Sequence, residues 1–384
     1  MGDDLGMILR RAEAPVGAID EGTRDAALRA LSNMLARPVV MRVRTTVVGS
    51  QPNQVACKLN RVRPGVFEPM AAVEPGTDFE ILAEQQAREN IVLQESWGTD
   101  ILAEGELFRN DRRGSAYITY LAGACNGLRR IMPMAPPPVV PCQHPSVVIV
   151  DDIGWQGPFL LGDFVRAQRH SAKPVKISIP GPLSFSRRIM NVHYADWRDI
   201  GWAMSRVIAA EIRTLVAAGC RWIQIDEPHL SWESAECVAL GMQWLAHLLP
   251  SAQGATTILH MCRSNPYGFT RTGSIAATTP YYSAVAPLVA ALPVDVVSVE
   301  DPCVPGELGL AAFGDKRVML GVLDVTRPEA ESVDALVALG ERAMGEVPVE
   351  RLMFSPKCGM LHMPAEVATA KVANMVAAMN RLGG

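Results

Sequence analysis

The feature that most constrains the fold is an alternation of short β-branched runs with longer segments of helical periodicity. The strand-like runs lie near residues 43–48, 99–104, 174–178, 222–226, 256–261, 295–300, 317–322 and 351–355. The helical patterns lie near residues 78–95, 115–130, 195–218, 232–248, 283–291, 330–345 and 365–380. Eight strands separated mostly by helices predict an α/β fold, a (β/α)8 TIM barrel with insertions.

A doubly wound open sheet is the main rival to a barrel. Such a sheet usually carries a glycine-rich phosphate loop after its first strand. Here that turn reads Val48-Gly-Ser-Gln-Pro52, and the sequence has neither a G-x-G-x-x-G nor a P-loop motif. A further strand-like run, Val147 to Val150, follows a proline-rich stretch and is interpreted as part of an insertion. Residues 1–40 are predicted to form a helical N-terminal extension, and residues 41–384 the barrel.

Composition excludes several classes of function. The net charge of −4 argues against a nucleic-acid partner, which usually requires a basic face. The most apolar long stretch, residues 283–299, is interrupted by Pro287, Pro293 and Asp295, so it predicts core elements and no membrane span. The start of the chain lacks the basic and apolar regions of a signal peptide. A cytoplasmic location is therefore predicted, with the eight cysteines reduced and a few of them used in chemistry.

Polar side chains occur where nearly every predicted strand ends. Barrel active sites lie at the carboxyl ends of the strands, so these residues are expected to converge. They are Ser50, Glu106, Asp226, Glu227, His260, Cys262, Glu300, Asp301, Asp324 and Cys358. Asp226, Glu227 and Asp324 are the candidate catalytic acids. Helix capping is the alternative for one member of the Asp226-Glu227 pair.

The His260-Met261-Cys262 segment predicts a metal site. Residues i and i+2 of a strand point the same way, so the imidazole and the thiol can bind one ion together. Cys358 follows the last strand and adds a second thiol. One histidine and two cysteines form a borderline-soft ligand set that suits Zn²⁺ and leaves a fourth position open. The alternative is a hydrogen-bonded core histidine beside two buried cysteines. Glu300 is either the fourth ligand or simply the end of a strand.

Several ordered motifs carry a resemblance to a known family. They are Arg44-Thr-Thr-Val-Val-Gly-Ser50, Leu93-Gln-Glu95, Asp100-Ile-Leu-Ala-Glu-Gly-Glu106, Arg109-Asn-Asp111, Lys173-Pro-Val-Lys176, Gly181-Pro182, Ile223-Gln-Ile-Asp-Glu-Pro228, His260-Met-Cys262, Val299-Glu300, Gly321-Val-Leu-Asp324 and Lys357-Cys-Gly359. Over residues 43–380 the chain resembles the C-terminal zinc barrel of cobalamin-independent methionine synthase, in a short core form.

The resemblance implies specific roles for these residues. His260, Cys262, Glu300 and Cys358 look like the zinc ligands of the family. Val48 and Ser50 match the groups that hold the carboxylate of the amino-acid substrate, and Glu106 and Asp226 match the acids that hold the amino group of homocysteine. A zinc-bound thiol with a lowered pKa would then attack the methyl group.

The chain departs from the family pattern on the side of the methyl donor. The family sequence Asp-Ile-His after the seventh strand reads Asp324-Val325-Thr326 here, and threonine cannot act as a general acid near neutral pH. The segment after Gly181-Pro182 also differs, and residues Asn265 to Tyr282 form an insertion. Only about 40 residues precede the barrel, where the full-length family has a large N-terminal half.

The first functional hypothesis is a zinc-dependent homocysteine S-methyltransferase that makes methionine, with folate or a methyl-donor protein as the source of the methyl group. The second is a thiol alkyltransferase of the epoxyalkane:coenzyme M type, in which Arg187 and Arg188 would bind the anionic substrate. A third is a zinc-storing barrel without turnover. In each case the partner is a small molecule or a donor protein, and the sequence does not define the oligomeric state.

Overall fold

The computed structural model describes residues 43–52, 77–107, 109, 120–130, 144–263, 282–300, 309–361 and 363–383. The predicted extension at residues 1–40 lies outside these residues, as does nearly all of the insertion at residues 265–282. The division into residues 1–40 and 41–384 therefore stays a prediction. No helix among the described residues is long and apolar enough to cross a membrane.

Eight parallel strands form one sheet. In the order in which they pair they are β1 (Arg44–Thr45), β11 (Leu352–Pro356), β10 (Arg317–Leu323), β9 (Val296–Glu300), β8 (Thr256–His260), β7 (Trp222–Asp226), β5 (Val175–Pro180) and β2 (Leu102–Ala103). A parallel bridge between Thr46 and Ile101 joins the two edge strands, β1 and β2. The sheet thus closes on itself, which confirms the predicted barrel and excludes the open doubly wound sheet.

Eight α-helices are described. They are α1 (Thr77–Ser96), α2 (Leu161–Gln168), α3 (Pro182–Arg188), α4 (Trp197–Ala217), α5 (Ala235–Leu248), α6 (Ala286–Ala290), α7 (Val333–Glu346) and α8 (Ala365–Gly383). Three of them begin at a capping side chain: Asp196, Ser234 and Ser332 each accept a hydrogen bond from a backbone N–H two or three residues later. Apart from residues 115–130, each predicted helix is present within a few residues of its bounds. Helices α2 and α3 were not predicted.

The barrel interior changes from apolar to polar along the strands. Alternate strand residues face inward. One inward layer is an apolar cluster of Val48, Ile101, Trp222, Ile258, Val296, Met319 and Met353. Two positions further along their strands, Gln224, His260, Ser298 and Ser355 are polar and buried. The polar layer lies toward the carboxyl ends, where the site residues begin.

The predicted helix at residues 115–130 is wrong over the part that the structure describes. A short 3-10 helix (Tyr120–Gly123) is followed by β3 (Cys125–Arg130), which pairs antiparallel with β4 (His144–Trp155). Strand β6 (Ile189–Asn191) completes this second, three-stranded sheet. Gly127 has a φ of +76°, and a Cβ there would overlap the backbone of Asp151 and Asp152. Only glycine permits this close approach of two strands. Helical periodicity in the sequence does not reveal such a contact, so the strand was missed.

Candidate metal centre

Three soft ligands come together at the carboxyl ends of the strands. His260 is the last residue of β8, Cys262 lies two residues beyond it, and Cys358 follows the end of β11. Their ligand atoms all lie within 4.8 Å of one another, and the two Sγ atoms are 3.6 Å apart. The structure thus brings together the residues in which the sequence predicted a metal site.

The side chains around this cluster fit a bound cation. His260 is buried, and its Nδ1 atom lies 2.8 Å from Ser298 Oγ. Its Nε2 atom is also buried and has no hydrogen-bond partner among the described residues. A buried imidazole nitrogen without a partner is costly, and a metal ion would satisfy it. With one nitrogen and two sulfur donors, the residues present fit Zn²⁺.

The two thiols also fit a bound cation. The interaction with the neighbouring Cys358 thiol, together with burial, raises the pKa of the Cys262 thiol well above its ordinary value. A divalent cation bound beside the two sulfur atoms would instead favour the thiolate form that a metal ligand requires. The chemistry of the donor set therefore agrees with the unpartnered nitrogen.

Glu300 lies next to this cluster without belonging to it. It ends β9 and is buried, and its Oε1 atom accepts a hydrogen bond of 2.6 Å from the backbone N–H of Arg263. Burial raises the pKa of Glu300. The mutually close set of ligand atoms comprises His260, Cys262 and Cys358 and does not include this carboxylate. Its role as fourth ligand stays a prediction.

Ser50 packs against the turn that carries Cys358. The backbone N–H of Met360 donates to the carbonyl of Ser50 at 2.8 Å. A Cβ at Gly359 would overlap the Ser50 hydroxyl, so glycine is needed for this close approach. The turn between Val48 and Ser50 therefore lies beside the turn that carries Cys358. A substrate-binding role for Val48 and Ser50 stays a prediction.

Glu106 and Asp226 complete the polar end of the barrel. Ser178 Oγ donates to Glu106 Oε1 at 2.8 Å, and Glu106 has the unusual φ of +55°. Gln224 Nε2 donates to Asp226 Oδ1 at 2.7 Å, and Asp226 pairs with His260 in the register of β7 and β8. Burial raises the pKa of Asp226 to about 6. Glu106 also approaches Gly49, where a Cβ would overlap its carboxylate.

Glu227 binds the start of a helix. Its two carboxylate oxygens accept hydrogen bonds from the backbone N–H groups of Leu183 and Ser184 at 2.8 Å, and from Ser184 Oγ at 2.7 Å. The carboxylate thus caps α3, which lies more than 40 residues earlier in the chain. These bonds give Glu227 a structural function, while its catalytic role stays a prediction.

Asp324 follows β10, and its contacts are local. Its Oδ1 atom accepts hydrogen bonds from the backbone N–H of Thr326 at 2.9 Å and from Thr326 Oγ1 at 2.6 Å. Burial acts to raise the pKa of Asp324, but these two bonds hold it below its ordinary value. The carboxylate is thus kept ionised beside a threonine. A catalytic role for Asp324 also stays a prediction.

Arg187 and Arg188 each make a contact with the segment after β7. Arg187 Nε lies 3.0 Å from Glu233 Oε1, and Arg188 Nε donates to His229 Nε2 at 2.9 Å. His229 is buried. These contacts connect α3 to the start of the next unit of the barrel. Binding of an anionic substrate by the two arginines stays a prediction.

Sequence reasoning missed four polar residues in the barrel interior: Lys176, Ser178, Gln224 and Ser298. All four are buried and each contacts a predicted site residue. Each lies two or four positions before a strand end, on the same face as the site. The alternation of polar residues within otherwise apolar strands was the signal that could have found them.

Fold and site together define a (β/α)8 barrel with a candidate soft-metal centre at its C-terminal face. Residues 43–381 match the family described as cobalamin-independent synthase, catalytic domain, and the chain belongs to that family.

Curated relatives agree with this assignment. The 5-methyltetrahydropteroyltriglutamate–homocysteine methyltransferase of Thermotoga petrophila is 24% identical over 349 residues, which are 86% of this chain and 43% of that protein. The methionine synthase of Saccharolobus solfataricus is 27% identical over 284 residues, which are 73% of this chain and 78% of that protein. The chain therefore spans less than half the length of the Thermotoga relative.

Solved structures support the fold. A B12-independent methionine synthase from Shewanella sp. W3-18-1 superimposes with a TM-score of 0.76 at 21% identity, covering 89% of this chain and 98% of that one. A methyltransferase from Methanosarcina mazei gives a TM-score of 0.55 at 15% identity, covering 93% and 98%. At these identities the likeness concerns the barrel fold alone.

Proposed function

We propose that this chain transfers a methyl group to the thiol of homocysteine and so forms methionine, with Zn²⁺ as its metal. The observation that carries the proposal is the convergence of His260, Cys262 and Cys358 around an unpartnered, buried imidazole nitrogen. The names of the relatives point to the same reaction.

The ligand set suits the activation of a thiol. His260, Cys262 and Cys358 would hold the ion, with Glu300 as the proposed fourth ligand. When bound there, zinc would lower the pKa of an incoming thiol, so that a thiolate is available at neutral pH without redox chemistry. Three fixed protein ligands leave a position open for the substrate.

The residues around the centre would orient the amino acid. The backbone at Val48 and the hydroxyl of Ser50 would hold the substrate carboxylate beside Cys358. The carboxylates of Glu106 and Asp226 would hold the ammonium group. Fixing both ends of the substrate places its sulfur over the metal centre and reduces the entropy lost in reaching the transition state.

The chain departs from the family pattern at the position that would act on the methyl donor. Thr326 occupies the position of the family histidine, and its hydroxyl donates to Asp324. Because threonine does not transfer protons near neutral pH, the chain offers no histidine acid at this position for a folate leaving group. We therefore propose that a methyl-carrying protein and methyl-folate be compared directly as donors.

The acceptor can be identified before the donor is known. Homocysteine, cysteine and coenzyme M are each added to zinc-loaded protein at constant pH, and proton release is measured. A thiol that binds the metal loses its proton. Metal-free protein and the Cys358→Ser variant are the controls, because both lack a complete site.

Release with homocysteine alone would support methionine formation and direct the donor comparison. Release with coenzyme M alone would assign the chain to the epoxide-opening class instead. No release with any of the three thiols would contradict the proposed thiol chemistry.

A further inference from the structure

A lysine lies in the interior of the barrel below the proposed substrate site. Lys176 is the second residue of β5 and is 1% exposed. Its Nζ atom donates to the carbonyl of Val48 at 2.6 Å and to Gln224 Oε1. A buried ammonium group is costly unless its hydrogen bonds are satisfied, so these contacts belong to a built arrangement.

Lys176 determines which way the amide of Gln224 faces. Burial lowers the pKa of Lys176 to about 7, and the nearby carboxylates oppose this shift. When protonated, the Nζ atom can only donate, so the amide oxygen of Gln224 points toward Lys176. The amide nitrogen is then directed at Asp226, where Nε2 donates to Oδ1 at 2.7 Å. The lysine therefore orients the Asp226 carboxylate through Gln224 while it also anchors the turn at Val48.

Carboxylates cluster in this part of the barrel. Glu104 forms an ion pair with Arg109, and both are buried. Lys176 lies near two further carboxylates, those of Asp226 and Glu106. Two carboxylates at the substrate end of the barrel suit a ligand that brings an ammonium group of its own.

We propose that Lys176, acting through Gln224, is a positioning residue that makes this site selective for a thiol carrying a protonated amino group. The inference rests on the proposed function. It adds a residue that connects the two sides of the amino-acid subsite, Asp226 and the turn at Val48.

The test compares the same substitution at two lysines, one within β5 and one just before it. Lys176→Met removes the buried charge at nearly constant volume. Lys173→Met makes the same change three residues earlier, where Nζ donates to the carbonyl of Thr99. Binding of homocysteine and of 4-mercaptobutanoate, which has no amino group, is measured by calorimetry on zinc-loaded protein, together with KM, kcat and zinc content.

We expect Lys176→Met to weaken homocysteine binding and raise its KM by about tenfold or more, since a hydrogen bond to a charged group is lost. Binding of 4-mercaptobutanoate should fall less than that of homocysteine, because this thiol depends on Lys176 only through the turn at Val48. The kcat and the zinc content should change by less than about threefold. Lys173→Met should leave the affinities for both thiols unchanged.

Equal losses for both thiols would overturn the proposal, because they would indicate a general structural role for Lys176. Unchanged homocysteine binding would also overturn it. If wild-type protein bound neither thiol, the proposed function itself would fail, an outcome visible before any variant is made. Should Lys176→Met not fold, Gln224→Met breaks the same contact to Asp226 and must show the same selective loss.

Discussion

His260 Nδ1 lies 2.8 Å from Ser298 Oγ, where β8 pairs with β9 and the two residues are register partners. The contact occupies Nδ1 and leaves the buried Nε2 atom as the ring nitrogen available to a metal ion. Histidine ligands commonly use their second nitrogen in this way, which fixes the tautomer and the orientation of the ring.

Removal of this hydroxyl should weaken metal binding. We expect Ser298→Ala to lower zinc affinity by about 10- to 100-fold, measured by competition with a chelator. Ser205→Ala is the matched control, since that buried hydroxyl bonds to the carbonyl of Trp244 between two outer helices. Equal zinc affinities in the two variants would show that Ser298 does not support the ligand.

The cysteine ligands can be tested by metal content. We expect Cys262→Ser and Cys358→Ser to lose zinc and methyl transfer together, with losses of affinity larger than the roughly 100-fold limit for a supporting contact. Cys237→Ser, on α5 and partly exposed, should retain both. Full zinc content and turnover in either ligand variant would disprove the assignment.

Two glycines should respond in opposite ways to the same substitution. A Cβ at Gly181 would overlap the Glu227 carboxyl that caps α3, so Gly181→Ala should destabilise the protein by about 1–3 kcal/mol. A Cβ at Gly162, in α2, would meet nothing within 4 Å, and Gly162→Ala should stabilise it by up to about 1 kcal/mol. Urea unfolding gives both values, and equal effects would contradict the overlap at Gly181.

Glu233 gives a prediction for the pH dependence of stability. The hydrogen bond from His229, followed by the contact with Arg187, lowers the pKa of Glu233 to about 2. A lowered folded-state pKa means that the stabilisation is present above the unfolded-state value of about 4.5 and is lost as the pH falls toward 2.

We therefore expect Glu233→Gln to lower the free energy of unfolding by about 0.5–1 kcal/mol at pH 7, since the pair is partly exposed to solvent. The difference from wild type should shrink between pH 4.5 and pH 3 in urea unfolding. Glu236→Gln, which removes the exposed partner of Arg198, is the control and should change stability less. A constant difference across the pH range would contradict the prediction.

The barrel and the cluster of His260, Cys262 and Cys358 were predictable because both depend on local periodicity. Strand alternation placed His260 and Cys262 on one face, and parallel strands bring their carboxyl ends to the same end of a barrel. The eight strands were all found, although β1 and β2 are only two residues long. The first and last residues of the strands were predicted less exactly, because strand ends depend on pairing partners that are distant in the chain.

The sequence alone determined the fold class, the eight strands and the three side chains of the candidate metal site, because these follow from residue type and spacing. Tertiary structure decided the rest. Within the predicted helix at residues 115–130 it formed strand β3 (Cys125–Arg130), where Gly127 allows two strands to approach closely. It directed Glu227 to α3 and Lys176 to Gln224 and Val48, since the partner of a buried charge is set by which segments are neighbours in the barrel and not by distance along the chain.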